Sequence, residues 1–208
     1  STSRGLGDVY KRQEKKITNK AASDLYKNAL KENQVATRIA ALQILLKTDD
    51  KNRAKLIVKA LNDPEREYRN AALLYAEEYK DADLSRAIAG KLKKADAETQ
   101  MDIINWLGKN RIAASLEEII PYVKSTDSEV SRSAIIAVAR IGGDEAIACL
   151  AGLVASGEKN QLENAACVLK SMEGDIATPL MNLFSKASTE GQKTILQLIG
   201  SRKCDRYA

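Results

Sequence analysis

The chain has 208 residues, 44% of them apolar but only 4% aromatic, so its core must rest mainly on Ala, Leu, Ile and Val, which suits closely packed helices. It contains no histidine, which removes the commonest general base and the commonest ligand of catalytic metals. The formal net charge is +5, but residues 21–200 together carry −1. The sequence therefore argues against a phosphate-tracking groove in the body of the chain.

The two ends of the chain differ from the rest. The chain does not begin with Met, and residues 5–13 share no periodicity with the remainder of the sequence and look like a translated adapter sequence. We predict that residues 1–13 are a non-native or disordered leader and that 14–21 are a linker or the start of the first helix. Residues 201–208 are predicted to be a tail that is itself a candidate for non-native sequence. We expect a fragment of a larger protein, and no compartment is predicted.

Apolar side chains recur along the chain with a period of about 31 residues. Within each repeat they stand at offsets 0 and 4, on one face of a first helix, and at offsets 15, 16 and 19, on one face of a second helix. The column at offset 0 consists of Tyr26, Ile57, Ile88, Ile119, Leu150 and Met181. A lone pair of helices could not bury these faces, so the pattern predicts stacked helical hairpins that share one continuous core.

Six helix pairs are predicted in chain order, and the apolar pattern slips by about one residue in the sixth. The predicted pairs lie within 22–48, 50–79, 82–110, 113–142, 144–173 and 175–200. Asp63 followed by Pro64, and the segment ending at Asp127, have the composition of helix starts. Gly142 and Gly174 have the composition of helix ends.

One part of the fourth and fifth pairs resembles a known repeat. The segments 129–142 and 144–150 are similar to the signature of short HEAT-like repeats, the type also found in phycobilin lyases. Pro121 is similar to the proline that kinks the first helix of many HEAT repeats. The resemblance covers about 22–200 and implies an all-α, right-handed α-solenoid (an armadillo-like α-α superhelix) of about six hairpins. HEAT-like repeats serve many roles, so the resemblance predicts fold more strongly than function.

Several residues are candidates for catalytic groups. Trp106 and Asp102 stand four apart on one predicted helix, and HEAT-like DNA glycosylases use Trp and Asp, but Trp106 falls in a column of packing positions. Glu117 and Glu118 are adjacent carboxylates, and neighbours on a helix point apart, so a solvated face is expected. HEAT-like metal-dependent hydroxylases need His-Glu pairs, which a chain without histidine lacks. We predict no catalytic, cofactor-binding or metal-binding residues.

The cysteines do not form a recognisable site. They are far apart, with no Cys-x-x-Cys pair, so neither a disulfide framework nor a zinc site is predicted. The three residues are Cys149, Cys167 and Cys204. We expect them to behave as small apolar side chains with free thiols.

The second helices resemble the inner layer of a HEAT stack, whose concave side is where such arrays bind partners. Two ribbons of residues between the buried columns are predicted to face outward there, and we call these ten residues the predicted binding face. They are Ile39, Asn70, Met101, Arg132 and Glu163, and, four positions further on, Gln43, Leu74, Asn105, Ile136 and Cys167. A mixture of Met and Arg with apolar residues is typical of protein contact surfaces. The alternative is that curvature buries these positions between neighbouring repeats.

The sequence favours a non-catalytic scaffold module that binds a protein or peptide on its concave face. A lyase or accessory subunit of the phycobilin-lyase type is the alternative from the enzyme class, and a HEAT-like nucleic-acid-binding protein is a third. No cofactor is predicted, and no run of apolar residues is long enough to suggest a membrane span. Nothing in the sequence predicts the oligomeric state.

Overall fold

The regular structure of the protein is helical. A computed structural model describes residues 20, 23–156 and 158–205, and every element of regular secondary structure in those ranges is a helix. The predicted all-α class is thereby confirmed. The chain divides into two compact units, Ser1–Tyr79 and Lys80–Ala208.

The predictions for the ends concern residues that the structure mostly leaves out. The predicted leader at 1–13, nearly all of the segment 14–21 and the last three residues of the predicted tail lie outside the described residues. The proposed limits of the repeat array therefore stay predictions.

The first unit holds a helical stretch at 23–29, numbered α1, and three further helices. These are α2 (Val35–Thr48), α3 (Arg53–Ala60) and α4 (Arg66–Ala76). Helices α2 and α4 pack on each other, and α3 packs on both. The side chains of Leu42, Leu45 and Ile57 are fully buried between them, as the column pattern predicts.

The second unit continues the alternation of first and second helices. It contains α5 (Ala82–Ala89), α6 (Ala97–Lys109), α7 (Leu116–Ile119), α8 (Ser128–Ile141), α9 (Asp144–Ser156), α10 (Lys159–Ser171), α11 (Ala177–Phe184) and α12 (Thr189–Asp205). The second helices pack in sequence, α6 on α8, α8 on α10 and α10 on α12, while α9 packs on α11 and on the second helices beside it.

Aspartates start several of these helices. The carboxylate of Asp96 accepts a hydrogen bond from the backbone N of Thr99 at 2.8 Å, and that of Asp127, its equivalent one repeat later, accepts one from Val130 N at 3.1 Å. Such bonds satisfy backbone N–H groups that have no partner within the helix. The two aspartates therefore fix the starts of α6 and α8.

The prediction that a helix starts at Asp63 and Pro64 is wrong in its detail. Helix α4 begins two positions after Pro64, with Glu65 preceding its first residue. Asp63 instead accepts a bond from Glu65 N at 3.0 Å, and the buried Arg69 guanidinium donates to the carbonyl oxygens of Asp63 and Pro64 at 2.9 and 3.0 Å. These bonds hold residues 63–65 as a turn, so the helix starts later than the Asp-Pro pair predicts.

The first helix of the fourth hairpin is interrupted around Pro121. It consists of a 3-10 turn (Ala113–Ser115), the single α-helical turn of α7 and a second 3-10 segment (Ile120–Lys124). Ile120, which precedes the proline, keeps α-helical dihedral angles of φ −48° and ψ −42°. Pro121 has no N–H to donate to the carbonyl oxygen of Glu117, so the α-helical bonding ends there and 3-10 bonding follows.

Most of the predicted columns are buried, and the exceptions lie in the first and last hairpins. Tyr26 and Leu30 are half-buried, and Met181 is 52% exposed. Leu180 is fully buried where Met181 was expected, so the spacing from Leu150 is one position shorter than the repeat. One position of shift turns a helix by about 100°, so the core side of α11 passes from Met181 to Leu180.

A side-chain bond from the second helix back to the end of the first recurs in three hairpins. Ser131 Oγ donates to the carbonyl oxygen of Val123 at 2.7 Å. The same bond, always eight positions back, joins Gln100 Nε2 to Leu92 O and Gln192 Nε2 to Phe184 O, each at 3.1 Å. These carbonyls lie where the first helix ends and its own partners run out, so the bonds tie the two helices of a hairpin together.

Helices α6 and α8 approach closely at Gly108. A Cβ atom at that position would lie 2.6 Å from both Cα and Cβ of Ala137. This contact requires a residue without a side chain on α6 and a small residue on α8. It belongs to the pair of second helices at the centre of the second unit.

Candidate binding surface

The six residues of the predicted binding face in the second unit lie on three consecutive second helices. Met101 and Asn105 are on α6, Arg132 and Ile136 on α8, and Glu163 and Cys167 on α10. Four of them are exposed, whereas Met101 and Ile136 are half-buried. None is part of the buried core, so this part of the face is accessible to a partner.

The other four residues lie in the first unit, on its two second helices. Ile39 and Gln43 on α2 are half-buried, and Asn70 and Leu74 on α4 are exposed. Leu74 is 59% exposed, and few large apolar side chains among the described residues are as accessible. The alternative that packing buries the face holds only in part, for the half-buried members.

Three clefts run between the second helices of the second unit, and each contains members of the predicted face. The first cleft, of about 490 Å³, lies at the starts of α8 and α10. Lys124, Arg132, Glu129, Glu158 and Glu163 line it together with hydroxyl and amide side chains. Its lining is polar, with three carboxylates against two cationic groups.

The second cleft, of about 680 Å³, lies between α10 and α12. Glu163, which also lines the first cleft, and the exposed Cys167 are on its α10 side. Its charges are balanced, with Lys159 and Lys170 against two glutamates, and Leu162 adds an apolar patch.

The third cleft, of about 510 Å³, lies at the C-terminal ends of α8 and α10, and we call it the arginine cleft. Its lining includes apolar side chains, among them Ile136 of the predicted face and Met172. Arg111, Arg140 and Glu173 are its charged residues. It carries two positive charges against one negative charge, and it combines them with these apolar side chains.

Comparison with known families identifies the central part of the chain. The family model described as HEAT repeats matches residues 85–169. The predicted HEAT-like repeats are confirmed there. The match contains most of α5 and all of the helices from α6 to α9, and it ends within α10, so the face residues from Met101 to Cys167 all lie inside the matched HEAT segment. The phycobilin-lyase subtype is a finer resemblance and stays a prediction.

Solved structures similar to the chain include engineered proteins. One, a crystal structure of an engineered protein from the Northeast Structural Genomics Consortium, is 21% identical, with a TM-score of 0.48, over 87% of this chain and 97% of the other. A second engineered protein from the same consortium is 18% identical, with a TM-score of 0.47, over 85% of this chain and 56% of its own. No curated protein sequence matches the chain.

The candidate catalytic groups in the HEAT segment differ in how deeply they are buried. Trp106 is 4% exposed and therefore belongs to the core, as its column predicts. Glu117 is exposed, but Glu118 is half-buried, and one of its carboxylate oxygens is enclosed without a hydrogen-bond partner among the described residues. The expectation of a fully solvated glutamate pair is thus wrong for Glu118, since helix α7 turns it inward. Within the described ranges, no group of His, Cys, Asp and Glu could hold a metal ion.

The described cysteines differ in their surroundings. Cys149 on α9 is half-buried, and burial raises the pKa of its thiol; the Lys124 ammonium lowers that pKa and Glu145 raises it, both by smaller amounts. A raised pKa keeps the thiol protonated and makes it a poor nucleophile. Cys167 is exposed at the second cleft, and the side chain of Cys204 lies outside the described residues.

A separate polar cluster joins α2 to α4 in the first unit. Arg38 forms an ion pair with Asp63, and its guanidinium carbon lies 4.8 Å from the centroid of the Tyr68 ring. Burial first, and then the Asp63 carboxylate, raise the pKa of Tyr68 to about 12 against a smaller opposing effect of Arg38. The raised pKa changes the protonation of this phenol only above about pH 10, and the contacts of the cluster connect helices of the same unit.

No helix among the described residues is long and apolar enough to cross a membrane.

Proposed function

We propose that the protein is a non-catalytic scaffold that binds a protein or peptide on the exposed side of its second helices. The HEAT-repeat match of residues 85–169 supports the coarse part of this proposal, because arrays of this kind present extended surfaces to partners. The finer part, the identity of the contact residues, rests on the predicted binding face.

The observation that carries the proposal is that accessible residues of the predicted binding face also line the three clefts. Arg132 lines the first cleft, Glu163 the first and second, and Ile136 the third. Met, Arg and aliphatic side chains that meet at such clefts can bury apolar area while the charged groups set the orientation of the partner. A flat and uniformly charged surface would offer neither.

The proposal is tested by placing a photo-crosslinking residue at the exposed Asn105 and comparing the proteins that become linked in an extract of the source cells. The double variant Met101→Asp with Arg132→Glu puts a charge into the half-buried apolar position and reverses the charge at the cleft. We expect it to lose the partner that the parent chain crosslinks, with an unchanged far-UV circular dichroism spectrum.

A matched control changes residues of the same types elsewhere. Met181→Asp with Arg86→Glu alters an exposed Met on α11 and an exposed Arg on α5, both on first helices. This variant is expected to retain the crosslinked partner. Equal crosslinking by the parent chain and by the Met101 and Arg132 double variant would contradict the proposal.

A further inference from the structure

The arginine cleft differs from the other two clefts because its charged residues carry a net positive charge. Its lining also includes Ile136, Val168 and Met172, of which Met172 is buried and the other two are half-buried. Arg111 and Arg140 line the same cleft, and both side chains are exposed. Apolar side chains beside positive charge fit a ligand that is itself part apolar and part acidic.

The backbone at Arg111 is unusual. Its φ angle is +51°, the left-handed region that L-residues with a side chain rarely adopt, and among the described non-glycine residues no other shows a positive φ. One repeat later the equivalent position is Gly142, with a φ of +76°. Both residues follow the end of a second helix. The backbone N–H of Ile112, which follows Arg111, donates to Leu107 O at 3.1 Å and so closes the end of α6.

Glycine is the residue that this backbone conformation favours, so the arginine is held there against a conformational cost. Strain of this kind at a cleft points to a role for the side chain. The guanidinium of Arg111 lines the arginine cleft, where a glycine would contribute no charge.

The positive charge of the arginine cleft is not neutralised by the protein. Among the described residues, neither Arg111 nor Arg140 forms an ion pair, although Glu173 lines the same cleft. Arg140 is in the last turn of α8, where the helix dipole stabilises a cation, and this explains its position without a ligand. Arg111 lies two positions beyond the last residue of α6, so the dipole of that helix also favours its charge, but it gives no account of the positive φ.

We propose that the arginine cleft binds an acidic, apolar segment of a partner protein. A carboxylate of that segment lies between the guanidiniums of Arg111 and Arg140, which offer several N–H donors to a carboxylate. A neighbouring aliphatic side chain of the segment covers Ile136, Val168 and Met172. This inference rests on the proposed function, which supplies the class of partner, a protein or peptide. It adds the chemistry of the segment that binds.

Two other kinds of ligand fit the cleft less well. A cation would meet Glu173 and the C-terminal ends of the helices, but also the guanidiniums of Arg111 and Arg140. A nucleic acid needs a longer run of positive charge than these two arginines supply, since the first and second clefts carry at least as many carboxylates as cationic groups.

The test measures the binding of two peptides to the full chain by fluorescence anisotropy. The acidic probe is fluorescein-labelled Gly-Asp-Leu-Glu-Leu-Asp-amide, and the neutral probe replaces Asp by Asn and Glu by Gln. Contacts between exposed charges are individually weak, so the protein concentration must be raised to about 1 mM in the titration. In that range we expect the acidic probe to bind and the neutral probe not to bind. Arg140→Glu is expected to reduce the affinity about tenfold, and Glu173→Gln to increase it two- to threefold.

Arg111→Gly is the decisive variant, because it separates the side chain from the fold. It removes the guanidinium while it suits the left-handed backbone, so the thermal midpoint is expected to rise as the affinity for the acidic probe falls about fivefold. Lys186→Glu, an exposed charge reversal just after α11, serves as the matched control and should leave the affinity unchanged.

The inference is overturned if the two peptides bind equally, if neither binds, or if Arg111→Gly and Arg140→Glu leave the affinity of the acidic probe unchanged. Because the peptides are measured without the natural partner, these outcomes do not depend on the crosslinking experiment. A chain that crosslinks its partner through the second helices but ignores the acidic probe retains the proposed function and loses only this inference.

Discussion

Replacing Gly108 by alanine is expected to destabilise the second unit. The added Cβ would lie 2.6 Å from Cα and Cβ of Ala137, whereas carbon atoms in good contact are about 3.5–4.0 Å apart. Helices α6 and α8 must therefore separate by roughly 1 Å, and no rotamer change can relieve the overlap because the atoms concerned are Cα and Cβ. Overpacking of this kind costs about 1–3 kcal/mol.

The size of the net effect follows from two opposing contributions. Alanine is favoured over glycine inside a helix by about 1 kcal/mol, which offsets part of the overpacking. The free energy of unfolding should then fall by up to about 2 kcal/mol. Gly152 on α9 is the matched control, because a Cβ there meets no atom within 4 Å. Gly152→Ala should raise the free energy of unfolding by about 0.5–1 kcal/mol.

Urea denaturation of the full chain, followed by circular dichroism at 222 nm, measures both variants against the parent. The expected result is a shift of the unfolding midpoint in opposite directions. If Gly108→Ala raises the midpoint as much as Gly152→Ala, the close approach of α6 and α8 is refuted.

Three further predictions concern other contacts. Leu180→Ala should lower the free energy of unfolding by about 2–5 kcal/mol, but Met181→Ala by less than about 0.5 kcal/mol; equal effects in urea denaturation would refute the shifted register of α11. Ser131→Ala leaves the Val123 carbonyl without its side-chain partner and should cost about 1–3 kcal/mol, whereas Ser156→Ala, at an exposed hydroxyl on α9, should cost little; a Ser131→Ala variant as stable as the parent in thermal denaturation would argue against the bond. The pKa of Tyr68, about 12 when folded and near 10 when unfolded, means that the folded state holds the phenol proton more tightly, so the contribution of Tyr68 to stability is constant below about pH 10 and is lost as the pH rises from 10 to 12. Thermal midpoints of the parent should fall across that range more than those of Tyr68→Phe, and parallel curves would exclude the raised pKa.

The repeat register could be predicted from the sequence because burial repeats with the chain. The core contains the side chains at the same position of successive hairpins, namely Ile57, Ile88, Ile119 and Leu150. Burial at that position is the simplest physical reason for an apolar residue in repeat after repeat. Met181 shows where this reasoning ends. A shift of one position in the last hairpin leaves an apolar residue at both 180 and 181, and composition alone cannot choose between them.

The close approach at Gly108 and the strained backbone at Arg111 were not predicted. The equivalents of Gly108 in the neighbouring repeats are Glu77 and Ala139, so no column marks it as a small-residue position. Arg111 could have been noticed, because Gly142, a predicted helix end, occupies the equivalent position one repeat later. An arginine, however, gives no sign of positive φ by its type. The predicted binding face was inferred from the gaps between buried columns, which indicate accessibility but not the chemistry of the clefts.

The packing of α6, α8, α10 and α12 in sequence has a consequence for hydrogen exchange. Helix α8 lies between α6 and α10. Among the described helices of the second unit, α12 makes its main contacts with α9, α10 and α11. The hairpin of α11 and α12 can therefore open while the packing of α6 on α8 stays intact, and its amide protons should exchange through local openings. Amides in α8 should exchange only when the unit unfolds. A binding partner on the arginine cleft, which is built on α8 and α10, would then be anchored to the slowly exchanging part of the unit.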